Sequence, residues 1–267
     1  MQKLFLRIER WTLVYKRMSK ILDTISVVLK EDEMKRIFLL AFIAFVSLLF
    51  FSCRPDNTDR IHPDDYFDYA SWIEENKREN GDIVFFGDSR IAGYNWSEEF
   101  NEEGRMVLGL GVGGEVVRGV TRRLDVLESI RPECVFIAIG GNDTFYNSFT
   151  YEEFEDDYRS LLSRLIELRV PKVYIETITG LSNPEYSLQN RRISLCNTII
   201  KGLVSEYSGC DGVEMVLLDI AFVMNDESGN VRKEYMAKDG VHFSEEGYNC
   251  WVGYLRDNCP ELISVVQ

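Results

Sequence analysis

The sequence predicts an α/β protein: a three-layer α/β/α sandwich of flavodoxin-like type with a five-stranded parallel sheet. Three observations predict it. Short apolar runs alternate with longer amphipathic ones over most of the chain, the pattern of strands joined by helical crossovers. The short runs are apolar throughout, as expected of strands covered on both faces. Five such runs suit an open sheet, whereas a closed barrel needs eight strand–helix units.

The elements follow in order. Asp64 to Asn80 reads as a helix, with Asp64 as its cap, Tyr66, Phe67, Tyr69, Ala70 and Ile73 at helical spacing, and Gly81 as its stop. Ile83–Phe86, Met106–Leu108, Cys134–Ile139, Val173–Glu176 and Glu214–Leu218 read as the strands. Val116–Ser129, Phe154–Arg169, Asn190–Tyr207 and Glu245–Asn258 read as the helices between and after them. The first of these carries Val116, Val117, Val120, Leu124 and Leu127 on one face.

Composition narrows the function classes. The chain has 267 residues and is 45% hydrophobic, enough for one globular core. Its net charge of −14 excludes a nucleic-acid partner as the natural reading, since phosphate attraction needs clustered Lys and Arg. Of the six cysteines, Cys134, Cys196, Cys210, Cys250 and Cys259 show no C-x-x-C spacing that would suggest a metal site.

The N-terminal part reads as an address. Met34-Lys35-Arg36 precedes an unbroken apolar run, Ile37 to Phe51, followed by Ser52-Cys53-Arg54-Pro55. A basic start, an apolar stretch and a small residue at a boundary make a secretory signal peptide. The run is shorter than the roughly 20 residues of a bilayer-spanning helix. The Cys after it resembles the lipobox of bacterial lipoproteins, where the Cys is lipidated and becomes the mature N-terminus. Phe50 and Phe51 depart from that pattern, which prefers Leu and a small residue there. The expected organisation is therefore four segments. Residues 1–33 are an extension ahead of the true start at Met34, or the cytoplasmic segment of a type II membrane protein. Residues 34–52 are a signal peptide or anchor, 53–63 a polar tether, and 64–267 the globular domain. The expected location is the cell envelope, exported and held to the membrane through a lipid on Cys53 or a signal anchor.

In open parallel sheets, ligands bind outside the carboxyl ends of the strands. Four segments follow predicted strands there: Gly87-Asp88-Ser89-Arg90, Gly109-Leu110-Gly111-Val112-Gly113-Gly114-Glu115, Gly140-Gly141-Asn142-Asp143 and, past a loop, Asp239-Gly240-Val241-His242-Phe243-Ser244. Alone, each reads as an ordinary turn. Together on one edge they offer the parts of a nucleophilic acyl-transfer site. Ser89 needs a base to take its proton, and the base needs a third group to hold its tautomer. The chain has two histidines. His242 stands three residues after Asp239, whereas His62 lies in the tether beside Pro63. The Ser89 N–H at a helix start, the Gly114 N–H and the Asn142 amide are candidate donors to an oxyanion.

These residues carry a resemblance. Phe86-Gly87-Asp88-Ser89, Gly111-Val112-Gly113-Gly114-Glu115, Gly140-Gly141-Asn142-Asp143 and Asp239-Gly240-Val241-His242-Phe243-Ser244 are similar, in order and spread, to blocks I, II, III and V of the SGNH (GDSL-like) hydrolases. The resemblance spans about 170 residues and is strongest to the acetylhydrolase and acetylesterase branches. It implies Ser89 as nucleophile, Asp239 and His242 as the dyad behind it, and Ser89, Gly114 and Asn142 as the oxyanion hole. It also implies an α/β/α fold and no cofactor. The expected activity is serine-catalysed hydrolysis of an O-acyl ester, preferably acetyl, on a carbohydrate or other small molecule. A lysophospholipase or thioesterase is the alternative within the fold. A non-catalytic binding protein is the alternative outside the class.

Two positions depart from the family pattern. Gly109 stands where block II usually opens with Asn, which is expected to loosen the loop carrying Gly114. Arg90 stands where an aliphatic or small polar residue is common. It either contacts an anionic or hydroxyl-rich substrate or pairs with an acidic surface residue. Phe145 and Tyr146, just past the third strand, either stack on substrate or cap the core, and the loop from Thr179 to Gln189 borders the expected pocket. Gly109 to Gly114 also satisfies the G-x-G-x-x-G dinucleotide fingerprint, but the acidic residue expected at the end of the next strand is missing. Asp239 and His242 have no second local His or Cys to complete a metal set, so no metal is expected.

Overall fold

The computed structural model describes residues 67–78, 81–100 and 105–263. Five strands form one sheet: β1 (Ile83–Gly87), β2 (Val107–Gly111), β3 (Cys134–Ala138), β4 (Lys172–Glu176) and β5 (Glu214–Leu218). Their order is β2-β1-β3-β4-β5, and every neighbouring pair is parallel. All five carboxyl ends therefore lie along one edge. The register places Gly87 beside both Gly111 and Ala138, so the first three strands end level.

The strand side chains alternate between two cores, as the pleat requires. Val84, Phe86, Val135, Ile137, Val173 and Ile175 enter one core, against helices α4 (Val117–Arg123), α6 (Tyr151–Glu167) and α7 (Ser187–Tyr207). Ile83, Phe85, Cys134, Phe136 and Tyr174 enter the other, against α3 (Trp96–Phe100) and α9 (Glu245–Asn258). On that second face the register stacks Phe85 on Phe136 at 4.5 Å and Phe136 on Tyr174 at 4.6 Å, with Trp96 closing the row 4.0 Å from Phe85. Side chains buried on both faces explain the unbroken apolar strand runs, and the expected three-layer architecture is the one observed.

Several boundaries differ from the sequence reading. The first described helix, α1 (Tyr69–Asn76), is capped by Asp68, whose carboxylate accepts from Ser71 N–H at 3.0 Å, and it ends before Gly81. Asp64 lies outside the described residues. The expected helix Val116–Ser129 is α4, a 3-10 turn at Leu124–Val126 and a short α5 (Leu127–Ile130). A straight α-helix would turn Val126 about 200° from Leu124; the tighter turn lets both be fully buried. Helix α6 starts three residues early because the Thr150 hydroxyl accepts from Glu153 N–H at 3.1 Å. Strand β2 runs on to Gly111, so Gly109 is a strand residue and not part of a loop. A Cβ there would stand 2.8 Å from the Trp96 ring, so Gly109 makes room for that ring rather than loosening the segment beyond it. The same geometry removes the dinucleotide fingerprint, because two of its glycines are inside a strand. Among the described residues no helix is long and apolar enough to cross a membrane.

Candidate active site

Ser89 is the first residue of α2 (Ser89–Ala92), directly after β1. Asp88 caps this helix, its Oδ1 accepting from Arg90 N–H at 2.9 Å. That sharp strand-to-helix turn lifts Ser89 onto the sheet's carboxyl edge. The residues before α9 bring His242 to the same place. Ala237 N–H donates to His242 O at 2.8 Å, and an antiparallel bridge joins Met236 to Phe243. Within this loop Asp239 Oδ1 accepts from the backbone N–H of Val241 at 2.9 Å and of His242 at 3.0 Å.

The three side chains form one line. His242 Nδ1 is 2.6 Å from Asp239 Oδ2, and His242 Nε2 is 3.0 Å from Ser89 Oγ. Burial alone would raise the Asp239 pKa, but the bonds from the His242 ring and from the His242 and Val241 backbone outweigh it and bring it to about 2. An ionised carboxylate only accepts, so in the neutral imidazole Nδ1 is the ring nitrogen that carries the proton and Nε2 turns its lone pair towards Ser89. The site is open: the His242 and Asp239 side chains are 46% and 50% exposed.

The second and third strand exits face Ser89. Gly114 has φ +77, a left-handed conformation that favours glycine, and a Cβ there would meet no atom within 4 Å. Asn142 opens a 3-10 turn after β3, and its Nδ2 donates to Glu115 O at 2.9 Å, with Asp88 Oδ2 at 3.4 Å. The amide is thus fixed between the two strand exits. Asp143 beside it accepts from Val117 N–H at 3.3 Å, and burial pushes its pKa up to about 7.

Ser89, His242 and Asp239 meet on this edge, and Gly114 and Asn142 follow the second and third strands there. The substrate-contacting residues do not all follow. Arg90 directs its guanidinium to the Val241 carbonyl and the Thr179 hydroxyl, neither of them an acidic surface residue. Phe145 is buried in the core against the Tyr186 ring at 5.5 Å, because the 3-10 turn it ends faces α7. Tyr146 is half-buried and lines a cavity of about 290 Å³ with Asp143, Phe149, Glu153 and Asp157. Cys53 and His62 lie outside the described residues.

One feature was missed. Arg123 is fully buried, with Nε 2.9 Å from Glu115 Oε2, Nη1 on Leu110 O and Nη2 on Gly87 O, both at 3.2 Å. A signal existed: 116, 120, 123 and 127 share one helical face, so a charged residue at 123 sits within an apolar stripe.

A parallel sheet between helical layers, whose carboxyl edge gathers a serine, a histidine–carboxylate pair and a glycine loop, is a three-layer α/β/α protein with the parts of an acyl-transfer site. The model of the GDSL-like lipase/acylhydrolase family matches residues 85–250, and the chain belongs to that family, whose members hydrolyse esters. No curated protein matches the chain in sequence. Solved structures resemble it in fold. A GDSL-like lipase from Bacteroides thetaiotaomicron is 18% identical, with a TM-score of 0.56 over 73% of this chain and 98% of that one. A carbohydrate esterase family 3 protein from Talaromyces cellulolyticus is 17% identical, with a TM-score of 0.55 over 70% and 100%. An acetyl xylan esterase from Geobacillus stearothermophilus is 20% identical, with a TM-score of 0.51 over 67% and 96%.

Proposed function

We propose that the chain is a serine esterase acting on a short acyl ester, preferably acetyl, borne by a carbohydrate. The observation that carries this reading is the line from Ser89 Oγ through His242 to Asp239, at 3.0 and 2.6 Å. Ser89 attacks the ester carbonyl while His242 Nε2 takes its proton. The Ser89 and Gly114 N–H groups and the Asn142 amide hold the oxyanion. His242 returns the proton to the leaving alcohol, and Asp239 stabilises the imidazolium in between. Water activated by the same histidine then releases the acid.

Exposure supports the substrate class. The exposed dyad, and the cavity with Tyr146 and Phe149 beside three carboxylates, suit a bulky hydroxyl-rich alcohol. Two fold relatives are described as carbohydrate-ester enzymes. The test is hydrolysis of p-nitrophenyl acetate, butyrate and octanoate by residues 54–267. The expected rank is acetate first. A preference for octanoate would move the reading to a lipase or thioesterase, and inertness towards every ester, including acetylated xylan, would leave a binding protein.

The same reading places the enzyme outside the cytoplasm on a lipid attached to Cys53, supported by the basic start, apolar run and Cys at 34–53. Expressed in a lipoprotein-processing bacterium, the chain is expected in the membrane fraction and Cys53→Ser in the soluble one. Equal fractionation of the two would sink the lipid anchor.

A further inference from the structure

We propose that Arg90 is a positioning residue that sets His242 against Ser89; the proposal rests on the esterase reading above. Arg90 follows Ser89 directly, and its side chain crosses from α2 to the loop that carries the base. Nε and Nη2 both donate to the Val241 carbonyl, at 3.2 and 3.0 Å. Cζ lies 4.6 Å from the centroid of the Phe243 ring, within cation–π range. Val241 and Phe243 are the two chain neighbours of His242. One guanidinium therefore grips the catalytic loop on both sides of the histidine.

The same group ties in a third segment. Nη1 donates to Thr179 Oγ1 in the loop after β4, and that loop bonds the histidine loop directly through Ser182 N–H to Gly240 O at 3.2 Å. The Arg90 backbone is itself held, its carbonyl accepting from the Tyr248 hydroxyl at 2.8 Å. This support matters because Asp239 and His242 are half exposed and little packing fixes them. A base must be held to within a fraction of an ångström of its productive place. A planar fork with three nitrogens can hold two loops and stack on a ring at once, whereas a lysine ammonium is a single point charge on a flexible stem. The arginine thereby acts through the histidine and not on the substrate.

The experiment compares Arg90→Met, Arg90→Lys and Thr179→Val in kcat, KM and thermal unfolding, with the proton resonance of His242 Nδ1–H as a readout independent of turnover. Arg90→Met is expected to lower kcat by about 10²-fold, the scale of an ångström of misplacement, with KM within about twofold of wild type. Arg90→Lys is expected to recover little of that loss, and its Nδ1–H resonance to broaden or shift. Thr179→Val, which removes one anchor, is expected to lower kcat a few-fold. A raised KM with unchanged kcat would instead make Arg90 a substrate contact, and a wild-type kcat in Arg90→Lys would overturn the proposal. If Arg90→Met does not fold, wild-type kcat in both Arg90→Lys and Thr179→Val overturns it equally. If the wild-type protein hydrolyses no ester, the esterase reading fails by itself. The resonance then decides on Arg90 alone: an Arg90→Lys signal identical to wild type defeats the positioning role.

Discussion

Ser89→Ala is expected to lower kcat on a short-chain ester by on the order of 10⁴-fold or more while leaving the fold intact. The hydroxyl bonds to His242 Nε2 and serves no cap, since the helix it opens is capped by Asp88. Alanine is the best helix former, so the first turn of α2 keeps its geometry. His242→Ala is expected to cost about as much as Ser89→Ala, and the double variant little more, because nucleophile and base act as one unit. Asp239→Asn should match the loss of about 10⁴-fold seen when an acidic orienter becomes an amide, since the amide can donate to Nδ1 and leave Nε2 protonated. Steady-state hydrolysis of p-nitrophenyl acetate, beside circular dichroism of each variant, reads all four. More than a tenth of wild-type activity in a folded Ser89→Ala protein would remove Ser89 as nucleophile.

Much of this arrangement is legible in the sequence, and particular residues show why. The strands were readable because Phe85, Phe136 and Tyr174 point into one core while Val84, Val135 and Val173 point into the other, leaving no polar face. Parallel strands then force every strand exit to one edge, which brings the serine, the glycine loop and the asparagine to it; the histidine segment lies well past the end of β5 and is placed by its own loop. Asp239 and His242 could be paired because they stand three positions apart, a local relation. The contacts of Arg90 and Phe145 are not legible in the sequence because their partners are remote. Val241 is 151 positions from Arg90, and the Phe145 ring packs against Tyr186. Helix starts at Tyr69 and Tyr151 were set by Asp68 and Thr150, cap signals weaker than the apolar spacing used to bound those helices.

Removing either member of the Glu115–Arg123 pair is expected to destabilise the protein by about 3–5 kcal/mol, the usual cost of leaving an uncompensated buried charge. Both side chains are completely buried. The Arg123 guanidinium lies against both the Trp72 and Phe86 rings, 4.3 and 4.5 Å from their centroids. Burial lowers its pKa to about 10 against the pull of Glu115, so it stays charged at neutral pH. It also satisfies the Gly87 and Leu110 carbonyls at the ends of β1 and β2, a role no apolar replacement fills. Glu115→Leu combined with Arg123→Met removes both charges, so the double variant should be more stable than Arg123→Met alone. Activity should not recover with stability. Glu115 follows Gly114, and its carbonyl fixes the Asn142 amide, so a loop that loses its buried anchor presents the two proposed oxyanion donors less well. Urea unfolding and kcat on acetate, measured on both single variants and the double, separate the two effects. A double variant no more stable than Arg123→Met would show that the carbonyl bonds, and not the ion pair, hold this end of the sheet. A double variant with wild-type kcat would show that the oxyanion loop needs no such anchor.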